Sequence, residues 1–196
     1  SDASIHFNQL ANGVISPWGG PIHLNSTVGD MRFAPDRNQL FVGLVNGALQ
    51  IWDLATLKVV REVKAGESAI TCMSVTTDGT QIATGLFDGS VRVWDTKSLE
   101  EYRPNKNAPS HGKPVLATQF TIDGTELISS SFNGDRWNWD VDTMKVFATI
   151  KGDSKLSTSS LAMSRDGKWY AAGRLDGGME LIRSGDGEPL HYLAAG

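Results

Sequence analysis

Four segments of the chain repeat one another in register: "APDRNQLFVGLVNGALQIWD", "TTDGTQIATGLFDGSVRVWD", "TIDGTELISSSFNGDRWNWD" and "SRDGKWYAAGRLDGGMELIR". Each has a first turn at Asp36, Asp78, Asp123 or Asp166. Each has a second turn at Asn46-Gly47, Asp88-Gly89, Asn133-Gly134 or Asp176-Gly177, ten residues after the first in all four. The step between repeats is 42, then 45, then 43 residues. Self-similarity at a fixed step of this size marks an architecture built from one small unit that cannot bury its apolar surface alone.

The unit is β-structure. Asn-Gly and Asp-Gly tolerate positive φ at both central positions of a tight hairpin turn. Between the turns lie β-rich runs, "QLFVGLV", "QIATGLF", "ELISSSF" and "KWYAAGR". After the second turn come "ALQIWD" and "SVRVWD", apolar at every second position, which is the period of a strand. With a strand before the first turn and another after the Trp-Asp pair, each repeat predicts an antiparallel meander of four short strands, a to d. No stretch has helical periodicity. Four-stranded units about every 43 residues predict an all-β chain built as a β-propeller.

Composition restricts the function. Twenty-one glycines in 196 residues suit a turn-rich fold. A net charge of −4 argues against non-specific nucleic-acid binding. The single cysteine, Cys72, excludes an internal disulfide and a cysteine-only metal site. It fits a reducing compartment, so an intracellular, cytoplasmic location is expected. No apolar run approaches the roughly 18 residues of a bilayer span, so no membrane insertion is expected.

The Trp-Asp pairs at Trp52-Asp53, Trp94-Asp95 and Trp139-Asp140, the Asp-Gly turns and the spacing together resemble the WD-repeat family over about residues 27–196. In that family a His before strand a, a Ser or Thr in strand b, an Asp in the b–c turn and the Trp of strand c form a buried hydrogen-bonded set. The resemblance puts His111, Ser129, Asn133 and Trp139 in these roles in the third repeat, with Asn in place of Asp. The second repeat offers Thr84, Asp88 and Trp94, with Gly66 where the His would be. The first keeps Trp52 but has Val42 in place of the Ser or Thr. The fourth has Ile182-Arg183 for Trp-Asp.

The expected organisation is one partial propeller. Setting Asn8 against Trp52 makes Ser4–Leu10 a degenerate strand c, and Val14–Leu24 then holds strand d. Residues 1–24 are thus strands c and d of an incomplete blade, followed by blades at 25–65, 66–110, 111–152 and 153–196. The family usually resembles a ring of seven blades, which at ~43 residues each needs roughly 300 residues. Three readings are open: part of a seven-bladed ring lacking its N-terminal blades, half of a split propeller completed by a second chain, or a small closed ring.

Signals for chemistry are poor. His6, His23, His111 and His191 fall in separate repeats without metal-ligand spacing. No phosphate loop, nucleophile elbow or dinucleotide fingerprint is present. No enzyme activity and no cofactor are expected. Three features suggest contact surfaces. The longest connection, "RPNKNAPSHGKP", carries Arg103, Lys106 and Lys113 among prolines. The residues just before the b–c turn glycine pairs are Val45, Phe87, Phe132 and Leu175, apolar in every repeat; they either pack between blades or form a patch for a partner. Third, "NGDRWNWD" places Arg136 and Asn138 where the other repeats have Leu49/Ile51, Val91/Val93 and Met179/Leu181, with Trp137 between them. Burying Arg and Asn without partners costs several kcal/mol. Either a local polar network with Asp135 or Asp140 or a bulge that turns Trp137 inward accommodates them, or this stretch is itself a contact site. The resemblance implies a non-catalytic scaffold that binds proteins or peptides within a multiprotein assembly. The alternative is a regulatory or targeting domain of a larger enzyme or transport protein.

Overall fold

A computed structural model describes residues 3–12, 14–17, 19–36, 38–103, 107–152, 157–184 and 189–193. Among these residues there are nineteen strands and no helix, so no helix is long and apolar enough to cross a membrane. Three four-stranded antiparallel sheets form in sequence order: β5–β8 (Val28–Phe33, Gln39–Leu44, Ala48–Asp53, Lys58–Lys64), β12–β15 (Val115–Phe120, Glu126–Ser131, Arg136–Asp140, Lys145–Ile150) and β16–β19 (Thr158–Met163, Trp169–Arg174, Met179–Arg183, Pro189–Leu193). Between the first two lies a three-stranded sheet, β9–β11 (Ile70–Val75, Gln81–Leu86, Val91–Asp95). Among the described residues, the strand expected after its Trp-Asp pair is a single bridge between Trp94 and Glu101. We number these sheets one to four.

Sheets one and two are apolar on both faces, and a separate core fills each gap between neighbours. Sheet one sends Phe41, Leu49 and Ile51 against Ile70, Met73, Ile82, Leu86 and Trp94 of sheet two. Sheet two sends Cys72, Ala83, Val91 and Val93 against Val115, Phe120, Leu127 and Trp139 of sheet three. The apolar cluster between sheets three and four is smaller, Ile128 against Tyr170, Ala172 and Ile182. The first strands, β5, β9, β12 and β16, lie side by side in chain order. Polar ties stitch them together: Met73 N donates to Asp30 Oδ2 at 2.7 Å, Thr71 Oγ1 to Val115 O at 2.5 Å, and Ser130 Oγ to Thr158 O at 3.2 Å.

The b–c turns differ from the two-residue hairpins expected from Asn-Gly and Asp-Gly. Only the glycines have positive φ, +83°, +88°, +85° and +86° at Gly47, Gly89, Gly134 and Gly177. Each glycine N–H donates to the residue three back, Leu44, Leu86, Ser131 or Arg174. These are three-residue loops, a turn with ordinary φ followed by a left-handed glycine. The Asn or Asp closes the loop by accepting a backbone N–H two residues on: Ala48 to Asn46 at 3.1 Å, Ser90 to Asp88 at 2.9 Å, Asp135 to Asn133 at 3.4 Å and Gly178 to Asp176 at 3.0 Å. The Asp of each Trp-Asp pair likewise caps the c–d turn. Asp53, Asp95 and Asp140 accept the backbone N–H and the hydroxyl of Thr56, Ser98 and Thr143.

The N-terminal segment departs from the expected single strand over Ser4–Leu10. It is split into β1 (Ala3–Ile5) and β2 (Asn8–Ala11). β1 pairs with β4 (Ile22–Leu24), and β2 forms a separate hairpin with β3 (Val14–Pro17). Ile5 and Ile22 cover Leu40, Val42, Leu44, Ala48 and Trp52, the free face of sheet one. The buried members of this cluster on sheet one lie on its second and third strands. Met31 and Phe33 on β5 stay exposed, whereas Met73 and Phe120 at matching positions are buried.

Cys72 tests this packing. Burial pushes its thiol up to about 12, and Sγ lies 3.8 Å from Val115 O. The folded chain should leave a thiol-titrating disulfide reagent unreacted at pH 8, and denaturation should release one thiol. Prompt reaction of the folded chain would contradict the packing of sheets two and three.

Candidate functional site

The hydrogen-bonded set of the third repeat forms across sheet three. Trp139 Nε1 donates to Ser129 Oγ at 2.8 Å, and Ser129 Oγ lies 2.8 Å from His111 Nε2. The serine hydroxyl has two acceptor lone pairs and one proton, so it accepts from the indole and still serves the imidazole as either donor or acceptor. Nδ1 has no partner. Asn133 was expected to complete the set, but it accepts from the Ser131 hydroxyl and donates to Asp135 Oδ2 at 3.1 Å. Asp135 also binds Lys151 Nζ at 3.1 Å and Gly152 N at 3.0 Å. Burial lowers the His111 pKa to about 4; the Asp135 charge opposes this shift and Lys151 adds to it. The imidazole is therefore neutral near pH 7.

Trp137 acts as its lid. The indole stacks on His111 with centroids 3.9 Å apart and planes at 20°, and it lies 5.7 Å from Trp139. This explains Trp137 without a shifted strand. Strands β13 and β14 pair in the same continuous register as β6 and β7, with Ser129 opposite Trp137 as Val42 is opposite Gln50. Hence Trp137 faces sheet two, and Arg136 and Asn138 face sheet four.

The other repeats show why the set is not repeated. In sheet two Trp94 Nε1 donates to Thr84 Oγ1 at 3.0 Å, while Asp88 is occupied by its own turn. A Cβ at Gly66 would lie 2.5 Å from Leu86 Cδ2. Leu86 thus fills the space that a histidine would need, and the matching residue in sheet three is the small Ser131. In sheet one Trp52 Nε1 donates to Gln50 Oε1 at 3.0 Å, and Gln50 Nε2 to Glu62 at 2.6 Å. Gln50 is not among the residues expected from the sequence. Its signal there is a polar residue two places before the Trp in a repeat lacking the strand-b hydroxyl.

Arg136 is buried and paired, but with neither Asp135 nor Asp140. Its Nη1 lies 2.7 Å from Glu180 Oε2 on sheet four. Glu180 Oε1 takes Arg174 Nη1 at 3.0 Å, and Arg174 Nη2 takes Asp176 at 3.0 Å. Asn138 is buried beside it. Neither side chain is offered to solvent.

The residues that do face solvent are the first positions of the b–c loops. Val45 is 47% exposed, Phe87 61%, Phe132 51% and Leu175 57%. Loop geometry causes this. Each backbone N–H turns inward to the segment before strand a, at Thr27, Ala69, Pro114 and Ser157, and the side chain is left outside. Packing between sheets, the other reading, does not occur. Of the basic connection, Arg103 and Lys113 are exposed. The Arg103 guanidinium lies 5.4 Å from the Tyr102 ring centroid. Lys106 lies outside the described residues.

Residues 57–95 match the family model described as WD domain, G-beta repeat. That span runs from strand β8 of sheet one through β11 of sheet two. No curated protein matches the chain.

The His111 set has a pH signature. Because its folded pKa is depressed, the unfolded chain binds a proton between pH 6.5 and about 4 that the folded chain refuses. The His111 contribution to stability is therefore fully present above pH 6.5 and is lost as pH drops to about 4. The loss is ~1.4 kcal/mol for each pH unit crossed, a few kcal/mol at most. Thermal melts of His111→Gln and the unmodified chain at pH 7 and 4.5 should differ in slope, with the variant flatter. Trp137→Ala should raise the His111 pKa by wetting the ring, read by NMR titration. Parallel melting curves would reject a buried neutral imidazole.

Proposed function

We propose that this chain, which carries a WD repeat at residues 57–95, is a non-catalytic scaffold of the β-propeller type that holds proteins or peptides within a larger assembly. The observation that carries this reading is the row of Val45, Phe87, Phe132 and Leu175. A lone exposed apolar residue is ordinary on a soluble protein. The same position left apolar and exposed in four successive sheets is a surface, and two of its members are aromatic, the type enriched at the centres of protein interfaces. The row sits on short, tied loops over rigid sheets, where recognition costs little ordering entropy. Arg103 and Lys113 supply positive charge from the neighbouring connection, suited to an acidic rim on the partner, while the net charge of −4 disfavours nucleic acid.

A propeller also supplies the function of the incomplete unit. In this reading residues 1–24 are strands c and d of an incomplete blade, and residues 25–65, 66–110, 111–152 and 153–196 are four blades. A second reading, in which a further chain completes the propeller, is favoured by one observation. Met31 and Phe33 are exposed on the strand beside that incomplete unit.

The double variant Phe87→Asp/Phe132→Asp tests the scaffold reading. Both side chains are more than half exposed, so the melt should move by less than ~1 kcal/mol equivalent. Affinity capture from a cell extract, compared by mass spectrometry with the unmodified chain, should lose the specifically bound proteins. An unchanged set of captured proteins with an unchanged melt would remove the row from the function.

A further inference from the structure

Among the described residues, the third and fourth sheets meet through a buried Arg–Glu pair that the other gaps lack. At the position of Arg136, sheets one and two present Leu49 and Val91 to the next sheet, and both are fully buried in apolar cores. At the position of Glu180, sheets one, two and three present Gln50, Arg92 and Trp137 to the preceding sheet. Glu180 is the acid in that series. Sheet four alone carries an unequal cluster, the carboxylates of Glu180 and Asp176 around the single guanidinium of Arg174. Arg136 of sheet three brings the second guanidinium and makes the cluster neutral. Ser130 adds a polar tie to Thr158 O, where sheets one, two and four have Gly43, Gly85 and Gly173.

A buried ion pair is weak evidence for stability, because desolvation offsets its Coulomb gain, and apolar residues of similar size are often as good. Sheets one and two show that apolar residues do serve at this position. What a buried pair does supply is discrimination. Arg136 docked against a sheet of the first, second or third kind would be buried against an amide, a like charge or an indole. The carboxylates near the first two, Glu62 and Glu101, are already engaged by Gln50 and Arg92, and the indole brings none, so each docking buries the guanidinium without a free carboxylate. Repeats with near-identical turns are prone to pairing with the wrong neighbour, within one chain or between chains. We propose that the Arg136–Glu180 pair is an address that selects sheet four, and excludes the other sheets, as the neighbour of sheet three.

The test separates addressing from simple stability. The full chain is unfolded in guanidinium chloride, refolded by dilution, and sized by chromatography with light scattering; melts are recorded in parallel. Arg136→Leu/Glu180→Gln gives this gap the apolar residue and amide of sheet one. It should melt no lower than the unmodified chain, yet recover at least twofold less of the native-sized species, with the loss appearing as exchanged oligomers. Glu180→Arg should also cut that recovery, and adding Arg136→Glu should restore most of it. The cycle reads coupling between two specific sites even where one single variant folds poorly. Unchanged recovery in the neutral double variant would overturn the proposal, as would absence of rescue by the reversed pair.

Discussion

The stacking of this structure depends on one requirement: a small sheet that is apolar on both faces, as sheets one and two are, has to be covered on both sides. A single such sheet exposes two apolar surfaces and gains too little burial to offset the ordering of its backbone. Stacking neighbours in chain order solves this, because each gap then becomes a core. Leu49 and Ile51 on one side of β7, and Trp52 on the other, serve two different cores from adjacent positions in one strand. That is why the period of two is strict at these sites, and why a one-residue slip of register would expose both cores at once. The requirement also explains the N-terminal segment. Ile5 and Ile22 are a small cover, yet without them the face of Leu40, Val42 and Leu44 would be open.

The same requirement separates scaffold from surface. A three-residue loop ending in a left-handed glycine returns strand c to the sheet within one short span, and its first residue has no sheet to cover. Val45, Phe87, Phe132 and Leu175 inherit their exposure from that geometry. Their apolar character does not come from it, since a polar residue would satisfy the loop equally well. At the opposite end, the turn carboxylates are explained by their turns. Asp78, Asp123 and Asp166 have lowered pKa values because neighbouring Thr or Ser hydroxyls and backbone N–H groups donate to them. Nothing in their setting calls for catalysis.

Much of the fold was legible because it is local. The turn pairs, the strand period and the Trp-Asp spacing are short-range features, and they located the sheets one by one. Other features were legible only in part. The Asn-Gly and Asp-Gly pairs announced turns, but the hydrogen bond from glycine back to Leu44 or Leu86, which decides the loop type, involves the residue before the pair. Asn8 matched Trp52 in spacing, yet two residues between β1 and β2 break the run and let β1 pair with β4. The partner of Arg136 lies 44 residues away on another sheet. Near neighbours in sequence, Asp135 and Asp140, are held by Lys151 and by the c–d turn. Long-range pairing of this kind leaves no mark in the local pattern beyond the broken alternation itself.

The uneven hydrogen-bond sets follow from the same logic of filled gaps. A histidine before strand a fits only where the end of strand b is small. Sheet three has Ser131 there and takes His111, with Trp137 closing over the ring. Sheet two has Leu86 there and requires Gly66. In both, the Trp of strand c keeps a buried acceptor, Ser129 or Thr84, and in sheet one Gln50 serves instead. An indole N–H buried without an acceptor would cost about 1–3 kcal/mol, whereas the volume beside it can be filled by an imidazole or by a leucine. The constraint on the three repeats that carry Trp-Asp is therefore a satisfied indole at that Trp inside a filled gap. Histidine is one solution to the filling, and the chain uses a different one in each of these sheets.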